Sequence, residues 1–231
     1  SVVALNTKTG RIVAVGEEAK QMIGRTPAHI KAVRPLVDGV ISDFEVTEEM
    51  LAYLIGKVRG EMKSFVAPRV LIGVPSGITN VEMRAAHDAA KNAGARDVFL
   101  IEEPMAAAIG AKLPIGKSVG SMIVDIGGGT TDIAIISLNG LVVSKNLRIA
   151  GDHLNASIVS YVKDQFKVHV GEKTAEDAKI ALTAITNASG GGKDLVVRGR
   201  DVVTGLPREV VITDSDVRDA VASHIDTIVE N

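Results

Sequence analysis

The sequence has 231 residues, with 26 Lys plus Arg against 28 Asp plus Glu and no cysteine. That length suits one large domain or two small ones and buries enough surface to fold without a disulfide or a metal. The balanced charge gives no electrostatic reason to expect nucleic acid, and the missing cysteines exclude disulfides, thiol catalysis and cysteine-ligated zinc. Histidines 29, 87, 153, 169 and 224 fall in no metal-ligand spacing. Aromatics are 3% and tryptophan is absent, so the core is built from Val, Ile, Leu and Ala. No apolar run approaches the roughly 20 residues of a membrane span.

In chain order, strand and helix patterns alternate, the signature of an α/β architecture. Val2–Leu5 and Ile12–Val15 read as a hairpin across Thr9-Gly10. A loop-rich stretch through Pro27 and Pro35 follows. Thr47 is then expected to cap a helix carrying Leu51, Leu54, Ile55, Val58 and Met62 at helical spacing. Val70–Val74 is a short strand ended by Pro75-Ser76-Gly77, and Thr79 with Glu82 forms a capping-box pattern opening an Ala-rich helix. Val98–Ile101 runs into Glu102-Glu103-Pro104 and a small-residue helix, Ala106–Ala111.

Beyond Gly120, Ser121–Asp125 and Asp132–Ser137 read as strands around a glycine turn, and Asn139-Gly140 as a hairpin turn. Leu141–Val143 and Leu147–Ile149 complete a meander. Helices are expected from about Asp152 and from a Thr174 cap, and Ser189–Gly192 as a polar tip. Leu195–Val197 and Glu209–Ile212 read as strands, and a last helix carries Val217, Val221, Ile225 and Ile228 on one face. Opening in a strand pattern and stopping in a helical one is expected of a piece of a longer chain.

The sharpest feature is Val124-Asp125-Ile126-Gly127-Gly128-Gly129-Thr130-Thr131-Asp132. Glycines leave no Cβ between a phosphate and the backbone N–H groups, and the two threonines are expected to add hydroxyl donors. Asp125, at a strand end, can hold magnesium through water. P-loops and dinucleotide fingerprints run from strand through glycines to helix. Here Ile133–Ile136 is a strand and no Gly-Lys-Ser/Thr occurs, so the pattern is a phosphate-binding hairpin. Glu103 lies past the carboxyl end of a strand, where α/β sheets place ligands, and a carboxylate there can orient or deprotonate water.

These two motifs, in this order, resemble the actin-like ATPase superfamily of actin, seventy-kilodalton heat-shock chaperones and sugar kinases. The likeness is strongest to the MreB family, bacterial actin homologues that build cell-shape filaments. It rests on Arg34-Pro35-Leu36-Val37-Asp38-Gly39-Val40-Ile41-Ser42-Asp43-Phe44, on Ile72–Thr79, on Phe99–Gly110 with Glu102-Glu103-Pro104, on Ser121–Ser137, and on Arg198–Asp201 with Thr204–Pro207.

The resemblance implies an actin-like (ribonuclease H-like) two-lobed α/β fold, with mixed sheets flanked by helices and incomplete at both termini. It implies a first lobe at 1–116, with a small subdomain at 16–46. A second lobe at 117–231 would comprise a core at 117–168 and a small subdomain at 169–231. It implies ATP and Mg2+, with Glu103 orienting the hydrolytic water and Asp125 acting through magnesium. Gly127, Gly128 and Gly129 with Thr130 and Thr131 form its second phosphate loop. Gly151 lies at the turn before a helix near the nucleotide, and Glu176, Asp177, Ala178 and Lys179 contact the adenosine. Met62, Phe65 and Val66 correspond to a loop that can insert into a membrane.

The first phosphate hairpin and the last adenosine loop of that family are not in this stretch, so 1–231 alone is expected to be poorly stable and to bind ATP weakly or not at all. The function implied is that of an ATP-hydrolysing cytoskeletal filament protein for rod-type cell shape and cell-wall synthesis. It would be cytoplasmic and peripheral to the inner face of the cell membrane. Its partners would be further copies, the membrane surface, and cell-wall synthesis and membrane adaptor proteins, with no nucleic acid. A small-molecule kinase of the superfamily, a chaperone ATPase and a non-catalytic actin-like scaffold are the alternatives.

Overall fold

The computed structural model describes residues 2–62, 66–182 and 192–231. By packing, the chain divides into one unit of Ser1–Asp125 with Asp132–Asn146 and another of Ile126–Thr131 with Leu147–Asn231. The motif-based lobes, 1–116 and 117–231, cut the chain elsewhere.

In the first unit, β1 (Val3–Asn6) is the centre of a sheet with β2 (Ile12–Val15) and β3 (Ile30–Val33), both antiparallel to it. Val2, Ala4 and Ala14 are buried on its inner side with Ala19 of the short helix α1 (Glu17–Gln21). The stretch expected as loop therefore contains a strand and a helix. It also contains a tight hairpin, β4 (Leu36–Val37) with β5 (Val40–Ile41). Asp38 and Gly39 have φ of 49° and 76°, the left-handed pair that a type I′ turn requires.

Helix α2 (Phe44–Met62) starts earlier than expected. Asp43 Oδ1 accepts from Val46 N at 3.1 Å, so Asp43 is the cap. Thr47 lies inside the first turn, buried, with Oγ1 donating to Asp43 O at 2.6 Å. β6 (Arg69–Val74) runs parallel to β7 (Asp97–Glu102), joined through α3 (Asn80–Asn92). The expected capping box opens α3: Thr79 N donates to Glu82 Oε2 at 2.7 Å and Glu82 N to Thr79 Oγ1 at 3.2 Å. Helix α4 (Glu103–Gly110) follows β7 without an intervening loop.

β8 (Ser121–Ile126), β9 (Thr131–Ser137) and β10 (Gly140–Leu147) form a sheet in the order β10-β9-β8. Of the two short strands expected after Gly140, the first lies within the longer β10, whereas Arg148 and Ile149 of the second lie beyond its end. The turn is shifted by one residue as well. Leu138 and Asn139 are its central pair, at φ 50° and 60°. A leucine is costly in that conformation.

In the second unit, α5 (Gly151–Phe166), α6 (Glu172–Leu182) and α7 (Asp214–Glu230) share a core with an antiparallel sheet. The sheet order is β11 (Val168–His169), β12 (Asp194–Asp201), β13 (Pro207–Thr213). Ile158, Val162, Leu182, Val197, Ile212 and Val217 are the buried layer between them. Thr174 falls within α6, which begins at Glu172, so it is not the cap. β11 lies against β12 at Gly199, where an added Cβ would come within 2.5 Å of His169 O. Of the expected tip at Ser189–Gly192, residues 189–191 lie outside the described residues.

The β12–β13 turn is organised by one carboxylate. Asp201 accepts from Val203 N and Thr204 N, both at 2.9 Å, and pairs with Arg208 at 3.0 Å. These bonds, the two backbone amides first, hold its pKa down to about 2.

Two outcomes are expected. Leu138→Asn relieves the left-handed leucine and raises stability by about 0.5–1 kcal/mol in chemical denaturation. Because the folded pKa of Asp201 is depressed, its ordering of the turn is fully present above the unfolded carboxylate value and is lost only as pH falls through about 2. Amide exchange at Val203 and Thr204 therefore stays protected from neutral pH down to about 3, whereas Asp201→Asn raises it throughout.

Candidate functional site

In the first unit three carboxyl groups gather at strand ends. Glu103 is the first residue of α4, directly after β7, and is half-buried. Opposite it, on β6, a Cβ at Gly73 would stand 3.3 Å from Glu103 Cγ, so the glycine makes room for this side chain to lie across the strand. Glu103 also walls a cavity of about 160 Å³ lined by Leu36, Ile41, Met50, Ile72 and Pro75. Burial first, then the charges of Asp132 and Asp125, push its pKa above the ordinary carboxylate value. Asp125 stands next to the end of β8, and Asp132 next to the start of β9.

Asp132 was not singled out by sequence. It is 1% exposed. Its Oδ1 accepts from Ser76 N at 2.8 Å and Ser76 Oγ at 2.6 Å, and its Oδ2 accepts from Asn146 Nδ2 at 2.8 Å. The signal was present in Asp132 itself, the one charged residue of β9.

In the second unit the glycine turn is closed by Gly127 N donating to Thr130 O at 2.9 Å. It is also fastened to the start of α5. Gly151 N donates to Gly127 O at 3.1 Å and Asp152 N to Gly128 O at 2.8 Å. The opening amides of a helix have no partner within it, and here two of them hold the turn. The cap position belongs to Ala150, whose N–H reaches His153 Nδ1 at 3.4 Å, so Gly151 is the first helical residue. A larger residue would crowd the turn there, because a Cβ would lie 3.2 Å from Gly127 O and 3.4 Å from Lys179 Nζ.

Lys179, from α6, donates to Gly151 O at 3.1 Å. The lysine thus reaches the same backbone that holds the turn. Glu176 is half-buried beside it in sequence. Asp177 is exposed and pairs with Lys173 at 3.3 Å. Ala178 departs from expectation, because its side chain is fully buried in the core with Ala175 and Leu182. Helical spacing of three and four residues turns all of these alanine and leucine positions inward.

The glycines face outward: Gly127 and Gly128 are exposed and Gly129 is half-exposed. A Cβ at 127 would stand 3.3 Å from Thr130 O, and one at 128 would stand 3.5 Å from Asp152 Oδ2. The turn is thus a cradle of bare backbone. The threonines beneath it depart from expectation. Thr130 is 7% and Thr131 0% exposed, and Thr131 Oγ1 donates to Ile149 O at 2.7 Å. Its hydroxyl fastens the turn to the chain before α5. Met62 closes α2, Val66 is 58% exposed, and Phe65 lies outside the described residues.

An acid at the end of a strand, a glycine hairpin and a carboxyl at the head of the helix after a parallel strand define an actin-like protein. The solved structures agree. The MreB5 protein of Spiroplasma citri, bound to ADP, superposes with a TM-score of 0.90 at 37% identity, covering 100% of this chain and 68% of that one. The MamK double helical filament is similar in fold, with a TM-score of 0.79 at 22% identity over 100% of this chain and 70% of that chain.

The family model described as MreB/Mbl protein matches residues 1–231, and the chain belongs to that family. The cell shape-determining protein Mbl of Bacillus cereus is 46% identical over 231 residues, all of this chain and 68% of the relative. The cell shape-determining protein MreB of Haemophilus influenzae is 50% identical over 219 residues, 94% of this chain and 62% of the relative. The chain thus spans about two thirds of the length of such relatives.

Gly151→Ala tests the fastening of the turn. The added methyl displaces Gly127 O and costs about 1–3 kcal/mol. Hydrogen exchange in the peptide spanning 126–131 is expected to speed up, with exchange at β12 and β13 unchanged.

Proposed function

We propose that this chain is the central part of an ATP-binding and ATP-hydrolysing cytoskeletal filament protein that organises rod-type cell shape and cell-wall synthesis. One observation carries the reading. Burial, then the charges of Asp132 and Asp125, raise the proton affinity of Glu103, and Asp125 lies two residues before the exposed glycine cradle. A carboxyl that holds its proton more tightly than an ordinary carboxylate suits an acid–base partner for an attacking water.

In this reading Gly127, Gly128 and Gly129 offer backbone to the phosphates, with Thr130 and Thr131 shaping the turn from beneath. Glu103 orients and deprotonates the water. Magnesium, held through water by Asp125, would offset phosphate charge. Glu176, Asp177 and Lys179 would contact the adenosine, with Gly151 at the turn near the nucleotide. The lobes would run 1–116 and 117–231.

Self-association is supported by the fold shared with a filament-forming protein, and actin-like contacts between copies would be heterologous and non-closing. The inner membrane surface is the proposed site of action, through the loop of Met62, Phe65 and Val66, with cell-wall synthesis and membrane adaptor proteins as partners. The exposed Val66 agrees with that placement.

The full-length protein is expected to pellet in an ATP-dependent manner. Glu103→Gln is expected to lower phosphate release by about a hundredfold while leaving nucleotide affinity intact, because it keeps the shape and removes the base. Its melting temperature stays level or rises, since a desolvated carboxyl facing two others is removed. Unchanged phosphate release in Glu103→Gln would favour a non-catalytic scaffold. Turnover dependent on a sugar would favour a small-molecule kinase.

A further inference from the structure

Glu103 and Asp125 belong to different sheets of the first unit. Glu103 follows β7 of the β6-β7 pair, and Asp125 lies on β8 of the β10-β9-β8 sheet. Among the described residues no strand pairing joins these sheets. A side chain bridges them. Ser76 is two residues beyond Val74, which is the register partner of Glu102, so it stands at the same end of the parallel pair as Glu103. Asp132 lies on the strand neighbouring β8.

We propose that Asp132 is a positioning residue for Glu103, fixing the sheet that carries Glu103 against the sheet that carries Asp125. Three contacts define its geometry. On one oxygen it takes the amide and hydroxyl of Ser76, 56 residues away in sequence. On the other it takes the amide of Asn146 on β10, which locks the carboxyl plane. Every contact uses Asp132 as an acceptor, and at 1% exposure solvent does not substitute for any of them. Both oxygens face protein donors, so the group holds the water-orienting carboxyl in register without touching substrate. This inference rests on the proposed ATP hydrolysis.

The test uses the full-length protein and reads phosphate release, nucleotide dissociation constant and melting temperature separately. Asp132→Asn keeps an acceptor for Ser76 but turns a donor toward the Asn146 amide. It is expected to lower kcat about tenfold, with nucleotide affinity within about twofold, as a small misplacement of a reacting group does. The swap Asp132→Asn with Asn146→Asp restores donor and acceptor with the charge moved to the other residue, and is expected to recover most of the lost turnover. Ser76→Ala, a milder change that keeps the backbone bond, is expected to give an intermediate loss.

Wild-type turnover in Asp132→Asn overturns the proposal. So does a loss that the swap fails to restore, which would make the charge at 132 itself a catalytic requirement. A fall in melting temperature with kcat unchanged reduces Asp132 to a stability role and overturns it as well. If the unmodified full-length protein releases no phosphate from ATP, the hydrolysis reading fails, and this inference with it. Turnover in the wild type with none of the expected losses sinks this inference alone.

Discussion

A carboxylate buried to 1% exposure is the constraint around which the first unit is arranged. Removing such a group from water costs several kcal/mol unless its lone pairs are met. Asp132 meets that demand with Ser76 N, Ser76 Oγ and Asn146 Nδ2. The partners come from the loop after β6 and from β10, so satisfying one side chain dictates where two sheets lie. The dependence is mutual. Without Asp132 the Ser76 amide and the Asn146 amide would be left without their acceptor, at about 1–3 kcal/mol for each buried group. A hydrophobic residue at 132 would pack, but it would specify no direction between the sheets.

The second unit solves a related problem with backbone alone. A glycine turn has no side chains to hold its shape, and each glycine loses more conformational freedom on ordering than any other residue. The start of α5 supplies what is missing, since Gly151 N and Asp152 N bind Gly127 O and Gly128 O. Lys179 then draws on Gly151 O from α6. The turn is exposed at Gly127 and Gly128 and anchored through their carbonyls to the start of α5. Thr131 shows the division of labour: a hydroxyl that composition offers as a ligand serves as a fastener because it points down the strand toward Ile149.

Much of this was legible in the sequence. Alternating strand and helix patterns gave the α/β class, and the strand after Gly129 separated this turn from helix-based phosphate loops. The Thr79–Glu82 capping box was read correctly because both partners are three residues apart. The misreadings share a cause. Thr47 and Thr174 look like caps by residue type, but Asp43 competes for the first and α6 begins two residues before the second. The Asp38-Gly39 hairpin carried a strong local signal within a stretch whose strands are only two residues long, too short for alternation to show. Ala178 was assigned to a ligand by resemblance, while its helical period already placed it in the core. Asp132, Ser76 and Asn146 could not be joined from sequence, because contacts across 56 and 14 residues leave no local pattern.

The carboxyl cluster opposes the stability of the fold that holds it. Burial, Asp132 and Asp125 all raise the pKa of Glu103 above the usual 4.5, so the folded state holds that proton more tightly than the unfolded chain does. The sign follows from proton counting: stability falls as pH rises from 4.5 through the raised value, and beyond it the full penalty of the charged form is carried. Nothing in packing calls for this. An apolar residue at 103 would fill the same space beside Gly73 and the neighbouring cavity without repulsion. A site kept against the gradient of stability is where local rules are expected to fail for the sake of chemistry. Asp132 sharpens the point, since its charge raises the proton affinity of Glu103 while its hydrogen bonds hold Ser76 in place beside the end of β7. One side chain thus both ties the loop after β6 to β10 and adds to the proton affinity of Glu103, so a substitution at 132 alters the two together unless Asn146 is changed to compensate.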